Sequence, residues 1–282
     1  MTKNITQEYR NFTETAKEKM YTINGVEWKY YVLGAGSETF LLLTGGGSIP
    51  EASFLYANSL SKKYRVIIPA IPEVFTMDAC VEGVNGILIK ENITKTHFLG
   101  FSMGGMISQC FVRKYPSKVS NLVFFVSMLP SKTYAKKYSK YKRGISIVPE
   151  WLFKWISKRS LKKQVMLDKD KSSPEVTSFW VNFFDWEFDS GKMNKKLLLA
   201  TTDILIDYFS QYNFTEHDLD EWNGKILLVE SDKDATIVTE ERERFRKVYH
   251  RAKVITQKDS GHFGEALLNP GNLIEEIGKF VD

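Results

Sequence analysis

The sequence predicts an α/β fold, a mostly parallel sheet with helices on both faces and a helical block inserted late in the chain. Three observations carry this reading. Short apolar runs of strand character alternate with segments whose apolar residues recur at helical spacing. Around Gly100 one strand passes through a glycine-flanked turn directly into a helix. Residues 131–223 then break the rhythm with helical patterning and no convincing strand, after which the alternation resumes. The chain is therefore expected to comprise a first core part, 1–130, a helical cap, 131–223, and a second core part, 224–282.

Taken in order, a polar amphipathic start leads to Val26–Leu33 and Phe40–Leu43, which read as strands because β-branched, aromatic and aliphatic residues cluster between turns at Gly25 and Gly34-Ala35-Gly36. An opening hairpin of these two strands is expected. Arg65–Pro69 and Thr96–Leu99 are short apolar runs bounded by turn signals, and Val119–Val126 has the continuous apolarity of a buried parallel strand. Ala52–Lys62, Asp78–Lys90 and Met103–Tyr115 are helical in spacing, the last stopped by Pro116. Beyond the cap, Lys225–Glu230 and Val254–Thr256 read as strands, and Thr239–His250 and Asn272–Val281 as helices.

Composition excludes several classes of function. A net charge of +5 in 282 residues is too small for nucleic-acid binding unless the charge gathers on one face. It gathers once, in Lys132–Lys163, where Glu150 is the single acid. No apolar run approaches the roughly 20 residues that span a bilayer, and Met1–Lys19 lacks the apolar stretch of a secretory signal. A cytoplasmic location is expected. The four Asn-x-Thr triplets, at Asn4, Asn11, Asn92 and Asn213, are accordingly read as chance, and Cys80 and Cys110 as reduced thiols. No cluster of metal ligands stands out, and neither metal nor cofactor is called for.

The chemistry-bearing segment is Gly100-Phe101-Ser102-Met103-Gly104, a G-x-S-x-G motif between a strand and a helix. A serine on so sharp a turn is strained and crowds its neighbours two residues away, where glycine removes the clash. A serine hydroxyl needs a base before it is an effective nucleophile. Of four histidines, His97 lies within a strand, His217 beside acids in the insertion, and His250 at the end of a charged helix. His262, in Asp259-Ser260-Gly261-His262-Phe263, follows the last strand at the sheet edge where the elbow also lies, and is the candidate base. A carboxylate should orient its imidazole. The loop after Glu230 offers two, Asp232 and Asp234, while the loop after the preceding strand, Ser127–Pro130, has no acid.

With these residues the chain resembles the α/β-hydrolase superfamily, serine hydrolases of esterase type with a helical cap, over nearly its whole length outside the cap. The resemblance implies Asp234 as the catalytic carboxylate, with Ser231 where the family commonly has glycine and Val238 where it often has proline. Those departures keep Asp232 as the alternative. It also implies an oxyanion hole from the N–H groups of Gly46, in Thr44-Gly45-Gly46-Gly47, and Met103, with Thr44 replacing a common histidine. The glycine run lacks the Gly-Lys-Ser/Thr of a phosphate loop, and Gly34-Ala35-Gly36 lacks the third glycine of a dinucleotide motif. Pro69–Asp78 departs from the family's usual loop, so no subgroup's specificity transfers.

The expected activity is cleavage of a carboxylic ester, or a related lactone or thioester, of a small to medium, mainly apolar substrate through an acyl-enzyme. A lyase-type enzyme on the same triad and a ligand-binding protein with a relict triad are the alternatives. In the cap, Trp151, Leu152, Trp155 and Ile156 recur at helical spacing among Lys154, Lys158, Arg159 and Lys162. The favoured reading packs the tryptophans over the cleft and leaves the lysines solvated; contact with an anionic membrane surface or an acidic partner is the less favoured one. Phe179-Trp180 and Phe183-Phe184, with Trp186, are expected to form an acyl or alcohol pocket or the cap's own core.

Overall fold

A computed structural model describes residues 4–282. The chain opens with helix α1 (Ile5–Thr15) and continues through strands β1 (Lys17–Ile23), β2 (Val26–Leu33) and β3 (Thr39–Leu43) to helix α2 (Phe54–Leu60). Strands β4 (Arg65–Pro69), β5 (Thr96–Phe101) and β6 (Val119–Phe125) then alternate with helices α3 (Met77–Lys90) and α4 (Met103–Lys114). Strands β7 (Ile226–Ser231) and β8 (Lys253–Gln257) come after the inserted segment, separated by helix α9 (Thr239–Val248) and followed by α10 (Gly264–Leu268) and α11 (Gly271–Val281). The eight strands form one sheet in the order β1-β2-β4-β3-β5-β6-β7-β8, parallel throughout except where β2 pairs with β1 and β4.

The expected hairpin of Val26–Leu33 with Phe40–Leu43 does not form. Strand β2 turns back on β1 instead, through Asn24 and Gly25, whose φ values of 51° and 77° are those of the two-residue turn that suits twisted hairpins. Six of the seven β1 side chains are exposed, so this edge strand carries no apolar alternation to betray it. Strand β3 crosses to the sheet centre, between β4 and β5, where Phe40 to Leu43 have no solvent exposure.

Successive residues of a strand face opposite sides of a sheet, and ring contacts show that both sides are covered. Phe124 packs on Phe245 and Tyr249 at the α9 layer, with centroids 5.4 and 5.1 Å away, while Phe125 meets Tyr56 of α2 at 5.7 Å. Phe98 meets Phe111 of α4 at 4.7 Å, and Phe101 meets Tyr56 at 5.2 Å.

Between β6 and β7 lie four α-helices and no strand: α5 (Lys132–Ile147), α6 (Glu150–Leu167), α7 (Pro174–Asp189) and α8 (Lys195–Gln211). Helix α7 seats the insertion on the rest of the protein through its aromatic run. Phe179 and Phe183 pack on Tyr9 of α1, at 5.7 and 5.8 Å, and buried Trp180 stacks near Phe54. The tryptophans of α6 do not cover the cleft as expected; Trp151 and Trp155 face outward. Only Phe153 and Val165 of that helix are fully buried.

Helix α7 also buries Glu187, whose carboxylate oxygens accept no hydrogen bond from any described residue. Lys192 lies 3.8 Å away but bonds to Glu51 at 2.6 Å. The Glu187 carboxyl is pushed up to about 7, chiefly by burial, with Lys192 and Lys29 opposing the rise and Glu51 adding to it. A carboxyl raised above its unfolded value leaves stability intact below that unfolded value and erodes it as pH climbs through the folded one. Thermal stability should therefore fall between about pH 4.5 and pH 7, by an upper bound of about 3 kcal/mol from this group. Glu187→Gln should flatten that fall in melting curves; identical pH dependence in both proteins would show that Glu187 does not titrate there.

Candidate active site

Ser102 joins β5 to α4 with φ 49° and ψ −112°, a backbone conformation that side-chain-bearing residues rarely adopt. Three glycines make the turn feasible. A Cβ on Gly100 would stand 2.6 Å from the Gly104 backbone, one on Gly104 would run into the Leu43 carbonyl, and one on Gly105 would meet Ser127 at 2.6 Å. The sequence motif points to the first two; Gly105 is legible only once β6 is in place.

Hydrogen bonds hold the turn from both sides. The Ser102 N–H donates to the Phe125 carbonyl at 2.9 Å, and the Ser102 carbonyl accepts from the N–H groups of Gly105 and Met106 at 3.0 and 3.2 Å. The Ser127 hydroxyl donates to the same carbonyl at 3.1 Å and accepts from buried Gln109, which also receives the hydroxyls of Tyr208 and Tyr249. Sequence reading missed this network, because nothing local marks Ser127, Gln109 or Tyr208 as neighbours of the elbow.

His262 lies beyond β8, and its Nδ1 is 2.7 Å from Oδ2 of Asp234, in the loop after β7. The other carboxylate oxygen of Asp234 accepts from the N–H groups of Thr236 and Ile237 at 2.7 and 3.1 Å. Burial alone would raise the Asp234 carboxyl, but the His262 hydrogen bond and these N–H donors outweigh it and hold it below the usual carboxylate range. Asp232, the alternative, is engaged elsewhere. Its Oδ1 accepts from the Ser260 N–H at 3.3 Å and so ties the β7 loop to the His262 loop. The geometry favours Asp234 over Asp232. The remaining histidines sit as expected, His97 buried against Asn121 at 3.1 Å, His217 exposed beside Asp220 at 3.1 Å, and His250 exposed past α9.

The loop bearing His262 has a second, unexpected anchor. Asp168, buried at the C-terminal end of α6, accepts from the Gly261 N–H at 2.8 Å and from the Gly264 N–H at 3.2 Å. The carboxylate thus grips the backbone on both sides of His262. A Cβ at Gly261 would come within 2.8 Å of the Asp168 carboxylate, so glycine is what permits the grip.

Ser102 and His262 line one cavity of about 260 Å³. With Nδ1 donating to Asp234, the imidazole presents Nε2 as a proton acceptor on the other side of its ring. The Thr44–Ser48 loop forms another wall, and Gly45 passes so close to the elbow that a Cβ there would lie 3.6 Å from that of Ser102. Gly46 lines the cavity, and Met103 is the first residue of α4, where a helix N–H has no intrahelical partner. Among the described residues neither N–H is taken by a turn or loop hydrogen bond. Leu161 and Gln164 of α6, Phe184 of α7 and Met193 complete the wall, with Phe184 stacked on Phe263 at 5.6 Å.

A strained serine at a strand-to-helix turn, sharing a cavity with a histidine that is paired behind it with an aspartate from the neighbouring strand end, defines the α/β proteins built on a nucleophile elbow. The chain belongs to the α/β-hydrolase fold family, whose profile matches residues 38–264. Among solved structures it is similar to a hydrolase from Pseudomonas aeruginosa PA01, at 15% identity over 94% of this chain and 98% of that one, with a TM-score of 0.75. A thermophilic esterase from Thermogutta terrifontis aligns at 16% identity over 94% and 97%, with a TM-score of 0.73. The enol-lactonase from Burkholderia xenovorans LB400 aligns at 14% identity over 93% and 99%, with a TM-score of 0.71. No relative among curated protein sequences matches.

Two substitutions separate the roles of the aspartates. Asp234→Asn should favour the wrong imidazole tautomer and slow labelling of Ser102 by a fluorophosphonate by about ten-thousandfold. Asp232→Asn should slow it by less than about tenfold; the reverse order would place the carboxylate two residues earlier. Asp168→Ala should slow labelling by about a hundredfold, because a shift of roughly 1 Å in a reacting group has that effect. Unchanged labelling by Asp168→Ala protein would show that the His262 loop holds its position without the grip.

Proposed function

We propose that the protein is a serine hydrolase that cleaves a carboxylic ester, or a related lactone or thioester, through an acyl-enzyme. The observation that carries this reading is the 2.7 Å contact of Asp234 with His262 beside a cavity that Ser102 also lines. His262 takes the Ser102 proton at Nε2 as Oγ attacks the substrate carbonyl, and Asp234 stabilises the imidazolium that results. The N–H groups of Gly46 and Met103 receive the negative charge that develops on the carbonyl oxygen. The imidazolium then protonates the departing alcohol, and a water activated by the same histidine releases the acid.

The esterase and the enol-lactonase among the similar structures support ester-type chemistry only as fold-level company. The cavity walls speak to the substrate more directly. Phe101, Tyr56, Leu161, Phe184, Met193 and Phe263 make the Ser102 cavity apolar. It shares Gly46, Gly47, Leu161, Gln164 and Met193 with a second cavity of about 230 Å³, to which Ser157, Ser160 and Asn194 contribute polar groups. The acyl group is therefore assigned to the apolar side and a more polar alcohol to the second cavity.

A fluorophosphonate should label Ser102 stoichiometrically, and Ser102→Ala should abolish both labelling and ester turnover while melting like wild type. Loss of the nucleophile in such a triad costs on the order of a millionfold, so residual turnover within about tenfold of wild type would refute the assignment. In a series of p-nitrophenyl esters, kcat/KM should rise by up to roughly fourfold per added methylene until the apolar side is full, then fall.

A further inference from the structure

We propose that the outer face of α6 is a docking surface for an anionic lipid bilayer. Apart from Glu150 and Ser160, the exposed residues of this helix are large apolar or basic. Trp151 is 69% exposed, Trp155 58%, Ile156 47% and Leu167 65%, and Ile147, just before the helix, is 83% exposed. At about 100° per residue, Trp151, Trp155, Arg159, Lys162 and Met166 fall within a stripe roughly 80° wide, with Ile156, Lys163 and Leu167 beside it. After Glu150 the helix contains no acid.

The charge on this face is available. Lys154 and Lys158, at its margin, are taken by Asp189, at 2.8 and 2.9 Å. Among the described residues no carboxylate lies within ion-pairing distance of Arg159, Lys162 or Lys163. Arg159 stands over the Trp155 ring at 5.7 Å, so cation and indole project together.

Tryptophan and lysine on one convex helix match the layered chemistry of a bilayer surface, indole at the headgroup level and ammonium among the phosphates. A second copy of this chain would set basic face against basic face, which the charge opposes. The helix offers a partner protein no groove on this side, because its cavity-lining residues Ser157, Leu161 and Gln164 lie on the opposite face. The same helix thus presents one face to the bilayer and the other to the Ser102 cavity, an arrangement that would place a lipid ester leaving the membrane at the second cavity.

The test is partitioning of the full chain onto sedimented vesicles, a binding measurement that stands whether or not Ser102 is a nucleophile. Vesicles containing a third phosphatidylglycerol should bind the protein, vesicles of phosphatidylcholine alone should not, and binding should weaken as salt shortens the range of the attraction. Replacing Arg159, Lys162 and Lys163 by Gln should lower partitioning about a hundredfold, at roughly fivefold per basic residue. Trp151→Ala with Trp155→Ala should lower it by about tenfold or more. All five side chains are largely exposed, so both variants should melt like wild type. Equal binding to the two vesicle types, or partitioning that neither variant changes, would overturn the proposal. So would self-association through this face, or binding to soluble polyglutamate in place of vesicles.

Discussion

The backbone of Ser102 is the constraint around which this molecule is arranged. A residue with a side chain at φ 49° and ψ −112° costs on the order of 1–3 kcal/mol and persists only where its surroundings over-determine it. The surroundings here are drawn from distant parts of the chain. Gly104 must lie against Leu43 of β3, Gly105 against Ser127 beyond β6, and the Ser102 carbonyl must find the Ser127 hydroxyl. The central position of β3, between β4 and β5, is what brings the Thr44–Ser48 loop over the elbow. Had the strand formed the simple hairpin its sequence suggests, that wall of the cavity would stand elsewhere.

The insertion and the core are less separable than their sequences imply. Asp168 belongs to the inserted helices, yet its carboxylate is bound to the backbone flanking His262. Lys192, in the turn after α7, bonds to Glu51 before α2. A buried carboxylate accepting two N–H groups is worth more than a surface ion pair, because neither partner can turn to water instead. Movement of α6 relative to the sheet would consequently be felt at the histidine loop through Asp168.

The residues whose chemistry is local were legible in the sequence. The glycines around Ser102 serve a turn only five residues long, and the alternation of elements places the loop of His262 and the loop of Asp234, while Asp232 stays open beside Asp234 until the hydrogen bonds are seen. The alternation of strands and helices in the core was readable for the same reason, since each element carries its own periodicity. What failed was non-local. Strand β1 is an exposed edge whose partner decides its state, and the Asp168 grip joins residues 93 positions apart. The outward tryptophans of α6 failed differently, because helical spacing says which residues share a face and leaves open which face the protein turns to solvent.

That orientation reverses the ordinary arrangement of an amphipathic helix. Helix α6 spans 18 residues, yet only Phe153 and Val165 are buried, while its largest apolar side chains lie in water. Phe153, packed on Phe188, and Val165 anchor it apolarly, and polar attachments run along its length: Glu150 accepts from the Lys195 N–H, Lys154 and Lys158 pair with Asp189, and Asp168 grips the histidine loop. A helix that turns its indoles outward leaves an apolar stripe that no other described residue covers, the feature on which the proposed docking rests. The bare basic side chains among those indoles give that surface its sign. Exposed tryptophan and uncompensated positive charge, each explicable alone, here lie on one stripe of the helix that walls the Ser102 cavity.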